Sequence, residues 1–256
     1  MLLELSYPID ESQPKWPTNP CEYSVLETNM QRGDVNNTAT VHHHLHNGSH
    51  VDAPRHFCAQ GKTIDVIPID DFLFCSPLIL KIEKGSGERI LKAELQAYEK
   101  QLRSCDLLLV YTGYGDLRAT HPSIYCGDFP SWSVEAAQYL RTEFPKLKGI
   151  AMDFLSVDSS VTGGRDGFPV HHALLDEDEN HPQRTLLLFE DIDTGKLYRT
   201  GAQAKTIYAF PLRFTGLEAS PVSMVAKIEW LSLNGRMAFA IRPQDVNFAC
   251  RSITSA

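Results

Sequence analysis

Apolar residues in this chain follow two rhythms, and both point to strands more often than to helices. Residues 76–83 alternate between apolar and polar positions, which predicts a half-buried strand. Three runs, 107–112, 149–154 and 186–189, are apolar with little or no alternation and predict strands covered on both faces. Residues 222–230 and 237–241 predict two more strands toward the C-terminus. Helical spacing is confined to two stretches. Residues 89–103 carry Ile90, Leu91, Leu95, Tyr98 and Leu102 close to helical period. Residues 134–144 follow Ser133 as a candidate N-cap, hold Glu135 in the first turn and are stopped by Pro145.

Many strands, few helices, and no repeat or Pro/Gly/Ser linker predict one mixed α/β (α+β) domain over residues 1–256. It should have a mixed central β-structure with a few flanking helices. The glycine-rich turn at 162–167 lacks the Gly-Lys-Ser/Thr of a phosphate loop. The acidic run 176–183 has no apolar period and reads as a solvated surface loop.

Composition narrows the function. With 43% hydrophobic and 22% charged residues the chain is ordinary for a globular protein. A formal net charge of -8 argues against nucleic acid and anionic membranes as partners and leaves a small-molecule substrate. No window approaches the roughly twenty apolar residues of a membrane span, and the first residues lack the basic and apolar regions of a leader. The six cysteines are scattered, as expected of reduced thiols in a cytoplasmic protein.

The chemistry concentrates in one place. Six of the ten histidines lie between His42 and His56, and the last three follow the pattern H-x-G-S-H-x-D-x-P-x-H. Imidazole and carboxylate together suit a divalent ion such as zinc or manganese. Gly48 and Pro54 argue against a helix here and favour a turn leading into an extended segment. In that geometry His50 and Asp52 share a face and His56 keeps the same parity, so His46, His50, Asp52 and His56 converge. His42, His43 and His44 alternate across faces and read as strand or supporting residues. Ser49 is either a turn residue or a hydroxyl donor beside the ion. Glu190 ends an apolar strand, where a buried carboxylate calls for a cation. His171 follows Pro169 at a turn that can enter a helix.

The histidine segment resembles the signature H-x-G-T-H-x-D-x-P-x-H of the metal-dependent cyclase-like hydrolases, the family of bacterial kynurenine formamidase and isatin hydrolase. Ser49 stands where the signature has threonine. The resemblance continues through residues 5–9 with Trp16-Pro17, then 127–140 and 149–153, and 156–158. It ends with 168–171, 189–191, Gly216 and 220–222. It implies a swivelling β/β/α cyclase-like fold with one or two divalent ions held by His46, His50, Asp52, His171 and Glu190. His172 competes with His171 for its place. His56 is implied as general acid/base, with an unperturbed pKa near 6.5 suited to proton transfer. Trp16, Phe57 and Ser49 are implied at the substrate, with Trp132 and Tyr125 as further aromatic candidates. Asp153 or Asp158 would orient a ligand histidine. The expected activity is hydrolysis of an amide-type C–N bond in an arylformamide or cyclic amide. A metal-dependent cyclase or dehydratase, or a non-catalytic metal-binding relative, are the alternatives. The expected assembly is a homodimer or homotetramer, with the segment around Trp16 reaching a neighbouring subunit's site.

Overall fold

The computed structural model describes residues 1–177 and 184–229, with backbone alone at 232–233 and 236–237. Its frame is a nine-stranded mixed sheet. The strands are β1 (Leu2–Glu4), β2 (His50–Asp52), β3 (Leu73–Phe74), β4 (Pro77–Lys81) and β5 (Leu107–Tyr111). They continue with β6 (Gly149–Met152), β7 (Leu187–Glu190), β8 (Gln203–Pro211) and β9 (Ala219–Glu229). Their order is β3-β8-β9-β2-β7-β6-β5-β4, with β1 also on β9. β4 to β7 run parallel, while β2 lies antiparallel to both β7 and β9.

The two end strands of that order, β3 and β4, are consecutive in the chain and separated only by Cys75 and Ser76. The sheet therefore curls until its ends nearly meet. The Asp106 carboxylate fastens the corner, accepting from the backbone N–H of Cys75 at 2.6 Å and of Ser76 at 2.9 Å.

Two hydrophobic cores explain the unbroken apolar runs. Leu107, Leu109, Ala151, Leu187 and Phe189 face one core with Val51, Ile207 and Met224. Their neighbours Leu108, Val110, Ile150, Met152 and Leu188 face the other. Helices α1 (Val134–Glu143) and α2 (Pro169–Leu175) cover this second face with Ala137, Leu140, Val170 and Leu174. Ser133 caps α1, its hydroxyl accepting from Ala136 N at 3.1 Å.

The long helix expected over 89–103 is replaced by three shorter elements. Arg89–Ile90 pairs in parallel with Ser131–Trp132, and Lys92–Gln96 and Glu99–Leu102 form two short helices. The first begins where the Glu94 carboxylate accepts from Leu91 N at 2.8 Å. Tyr98, at φ -115 and ψ 15, breaks the helix before the second. Ile90, Leu95 and Leu102 still reach one core, so burial is met without a continuous helix. Of the strand expected over 222–230, residues 222–229 form part of β9, and residue 230 lies outside the described residues. Of that expected at 237–241, only Met237 is described, in a backbone pair of Arg236–Met237 with Ser232–Leu233; residues 238–241 lie outside the described residues.

Among the described residues no helix is long and apolar enough to cross a membrane. Cys21, Cys58, Cys75, Cys105 and Cys126 are free thiols. Residues 178–183 of the acidic run lie outside the described residues. Its start is docked, Glu177 accepting from Lys62 N at 3.2 Å.

Candidate metal centre

The sheet register assembles the centre. His50 lies opposite Glu190 of β7 and opposite Pro221 of β9, and Asp52 opposite Ala219. Period-2 alternation puts His50 and Asp52 on one face while Val51 points into the core behind. A turn ahead of β2 brings His46 back over that face. Gly48 holds φ +66 there, a backbone conformation that favours glycine, and a Cβ on it would stand 2.5 Å from Gln13 Oε1 and displace that side chain. Beyond β2, Pro54 starts the one-turn helix Pro54–His56, which carries His56 above the same space from a turn and not from the strand. Helix α2 enters through Phe168 at φ 53 with Pro169 in its first turn, and sends His171 down from the covering layer.

The side chains meet at short range. His46 Nδ1 is 2.9 Å and His50 Nε2 3.3 Å from Asp52 Oδ1, and His50 Nε2 is 3.5 Å from Glu190 Oε2. His171 Nε2 is 3.9 Å from both Asp52 Oδ2 and Glu190 Oε1. Two overlapping groups, His46–Asp52–His56 and His50–Asp52–Glu190, each bring their ligand atoms within 4.8 Å of one another, and Asp52 belongs to both. His172 is turned away, 45% exposed and 3.0 Å from Asp176. The structure therefore brings His46, His50, Asp52, His56, His171 and Glu190 together, and leaves His172 outside.

The outer nitrogens are occupied in a regular way. His50 Nδ1 is 2.9 Å from Gly48 O, His171 Nδ1 2.7 Å from Asp158 Oδ2, and His46 Nε2 3.3 Å from Glu218 Oε1. Such contacts fix tautomers and aim the inner nitrogens. Asp158 also accepts from the backbone N–H of Val170 and His171, so it sets the entry of α2 as well. Asp153, the other candidate for this orienting role, is committed elsewhere. It accepts from Thr112 N and Oγ1, Gly113 N and Gly115 N, and so shapes the turn after β5.

The donor set fits a divalent cation. His50 Nε2 and both Asp52 oxygens are buried without a hydrogen-bond partner, and they face one another. Leaving such groups unsatisfied is costly, and a cation answers all three. Burial disfavours charge on His46, yet Asp52 outweighs it and pushes the ring up to about 9; His50, beside Asp52 and Glu190, also rises well above the imidazole range. Burial would raise Asp52, but His46, His56 and His50 hold it well below the carboxylate range. His56 departs from its expected unperturbed value. Burial drives it down to about 3, and His46 and His171 reinforce this against the pull of Asp52, so the ring is neutral. It stacks on His46 with centroids 4.0 Å apart, and among the described residues no side-chain hydrogen bond orients it.

The centre opens into a cavity of about 400 Å³. Trp16, Phe57 and Phe168 form an aromatic wall, with Asn19, His44, Leu155, Ser156 and Glu218 around it. Trp16 lies beside Phe168, with ring centroids 6.2 Å apart, in its own chain's cavity. Ser49 does not line the cavity: its hydroxyl donates to Asp191 O at 2.6 Å and accepts from Tyr7 N at 2.9 Å. Trp132 is core, and Tyr125 donates to Asp191 at 2.6 Å. Sequence reasoning misses Glu218, Asn19 and Phe168. Glu218 carried a faint signal, lying between Gly216 and Ser220 of the closing segment.

A buried brace stands behind Glu190. Asp191, fully buried at φ 53, receives two donors from Arg118, Nε at 2.8 Å and Nη2 at 2.7 Å, and the Arg118 guanidinium lies 3.8 Å from the Tyr7 ring. Arg118→Ala leaves that carboxylate buried without its counter-charge, with the Tyr125 hydroxyl as its remaining side-chain donor among the described residues. It is expected to lower the unfolding free energy by about 3–5 kcal/mol, measured by urea denaturation. A loss below about 1 kcal/mol would show that the pair behaves as an exposed one.

The Cyclase family model matches residues 3–159, more than half of the chain. The chain belongs to the cyclase family. It is similar to the kynurenine formamidase of Geobacillus thermodenitrificans, 31% identical over 173 residues that cover 67% of this chain and 76% of the relative. The kynurenine formamidase of Bacillus cytotoxicus is 27% identical over 226 residues, covering 88% and 96%. Among solved structures, isatin hydrolase A from Labrenzia aggregata bound to benzyl benzoate superposes with a TM-score of 0.71 at 17% identity, over 88% of this chain and 93% of that one. These likenesses carry the mixed fold of the cyclase family through β7 to β9, beyond the residues that the family model matches. Its relatives are hydrolases, and the His/Asp/Glu cluster described here suggests a divalent metal.

Proposed function

We propose that this cyclase-family chain hydrolyses an amide-type C–N bond, in an arylformamide or a cyclic aromatic amide, with one or two divalent ions as cofactor. The observation that carries the reading is the set of inward nitrogens and carboxylates of His46, His50, Asp52, His171 and Glu190 at the floor of an aromatic-walled cavity. Zinc and manganese both suit this set. When bound, the ion supplies an acidified water and a Lewis acid for a carbonyl oxygen.

The chain's own residues supply the rest. Phe57, stacked on His171 at 4.3 Å, and Trp16 and Phe168 hold a flat ring over the centre and exclude water. His56, neutral and close to Asp52 and His46, takes a proton from a water in the cavity and returns it to the leaving nitrogen. Among the described residues no lysine or arginine lines the cavity, so a neutral aromatic amide suits it better than a substrate with a peripheral anion. The test is a panel of N-formyl anilines, isatin-type lactams and simple esters, assayed with zinc or manganese and with chelator. Metal-dependent release of the amine is expected; fully metal-loaded protein inert on every amide would overturn the reading.

We also propose a homodimer or homotetramer. The hairpin of Tyr23–Thr28 with Thr38–His42 is exposed on nearly every residue and carries Val25, Leu26 and Val41 into solvent. A lone two-stranded ribbon is marginal in water, and a second copy would cover it. Leu26→Asp combined with Val41→Asp is expected to shift the light-scattering mass to the monomer. A wild-type mass that is already monomeric would contradict the proposal.

A further inference from the structure

We propose that Glu218 is a positioning residue: its carboxylate accepts the outer N–H of His46 and fixes the tautomer that turns His46 Nδ1 toward Asp52. The inference rests on the reading of the centre as a metal site, and concerns how one of its histidines is aimed.

Three histidines share one arrangement. Each turns one nitrogen inward toward Asp52 and sets the other against an acceptor outside the centre. For His50 that acceptor is the carbonyl of Gly48, two residues away. For His171 it is Asp158, which also fixes the entry of α2. For His46 it is Glu218, 172 residues distant in sequence, with Oε1 at 3.3 Å from Nε2.

His46 needs such a partner more than the others do. It sits in a turn and not on a strand, and its ring is stacked on His56. Rotation of the ring would present the other nitrogen to Asp52, and only an outer acceptor decides between the two faces. Glu218 is placed to decide. Its own carbonyl accepts from Ala53 N at 2.8 Å, next to Asp52, and the carbonyl of Leu217 accepts from Ile64 N at 2.9 Å. The loop is turned into place at Gly216, which holds φ +77 and donates to Asp65. The backbone thus holds Glu218 beside β2, and its carboxylate holds His46.

The test uses zinc alone as the probe on chelator-treated full-length protein. Glu218→Ala is expected to weaken zinc binding by about 10–100-fold, the usual effect of removing an outer partner of a ligand histidine. Glu218→Gln keeps an amide oxygen that can accept the same N–H, and is expected to stay within a few-fold of wild type. Long-range proton–nitrogen NMR on histidine-labelled protein should show His46 with Nε2 protonated and Nδ1 shifted by zinc in wild type. Signals of His50 and His171 should be unchanged in both variants. Zinc binding by Glu218→Ala at wild-type strength with an unchanged His46 pattern would overturn the proposal. So would a loss in Glu218→Gln as deep as in Glu218→Ala, which would make the carboxylate itself a ligand. If wild type takes up no zinc, the metal reading fails separately. The tautomer of His46 in the metal-free protein, read by the same NMR above about pH 10 where a ring pushed up to about 9 is neutral, is then expected to be Nε2–H in wild type and mixed in Glu218→Ala, and it decides the Glu218 assignment.

Discussion

Asp52→Asn is expected to empty the centre and to take turnover with it, by on the order of 10⁴-fold in kcat. Asp52 is common to both groups of ligand atoms, and neither of its buried oxygens has a hydrogen-bond partner. Its charge is therefore committed to a cation, and an amide of the same shape offers one neutral oxygen in its place. The loss in affinity should exceed the about 10–100-fold that changes in outer partners cost. Losing both the acidified water and the polarised carbonyl removes several kcal/mol of barrier reduction, and about 5.5 kcal/mol corresponds to 10⁴-fold. A second readout needs no substrate. Ions at about 1,000 times their dissociation constant stabilise the wild type by about 4.1 kcal/mol, so chelator should lower its Tm. The Tm of Asp52→Asn should be the same with and without chelator. Wild-type metal occupancy in the variant, by elemental analysis, would sink the role assigned to Asp52.

How far the sequence alone leads depends on how locally each feature is encoded. The runs at 107–112, 149–154 and 186–189 are legible because strands buried between two cores must be apolar on both faces. The hairpin at Tyr23–Thr28 and Thr38–His42 is not, since both of its faces are exposed and no burial pattern marks it. The region 89–103 misleads because Ile90, Leu95 and Leu102 satisfy one core from a strand and two short helices alike. Within the centre, His46, His50, Asp52 and His56 are legible together because they lie within eleven residues; the period of two holds for His50 and Asp52 on β2, while turns on either side bring in His46 and His56. His171 and Glu190 are reached by resemblance, and the register of β7 against β2 supplies the physical reason for Glu190. The brace of Arg118 with Asp191 is illegible, and Glu218 has only the faint sign of its place in the closing segment. Each depends on segments brought together only by the closed sheet, and a lone charged residue in a loop carries no local sign of its partner.

His56→Ala is expected to keep the metal and lose kcat by about 10²–10⁴-fold, the span of a removed general acid–base group. The proximity of His56 to His46 and Asp52 admits a ligand role on distance alone. Orientation argues otherwise. His46, His50 and His171 each have an outer nitrogen against an acceptor, as metal-bound imidazoles do, whereas among the described residues no side-chain hydrogen bond orients His56. It lines the cavity beside Asp52, whose charge favours the imidazolium, so it can take a proton from a water there. On the proposed reading the substrate ring stacks on Phe57 and Trp16 and not on His56, so KM should change little. The deletion also leaves a hole the size of an imidazole beside the cavity, and added imidazole should restore part of the rate. Metal occupancy and turnover measured on the same preparation separate the two roles. A His56→Ala protein that has lost an ion is a protein missing a ligand, and the proton would then have to move through the other cavity groups, Glu218 foremost.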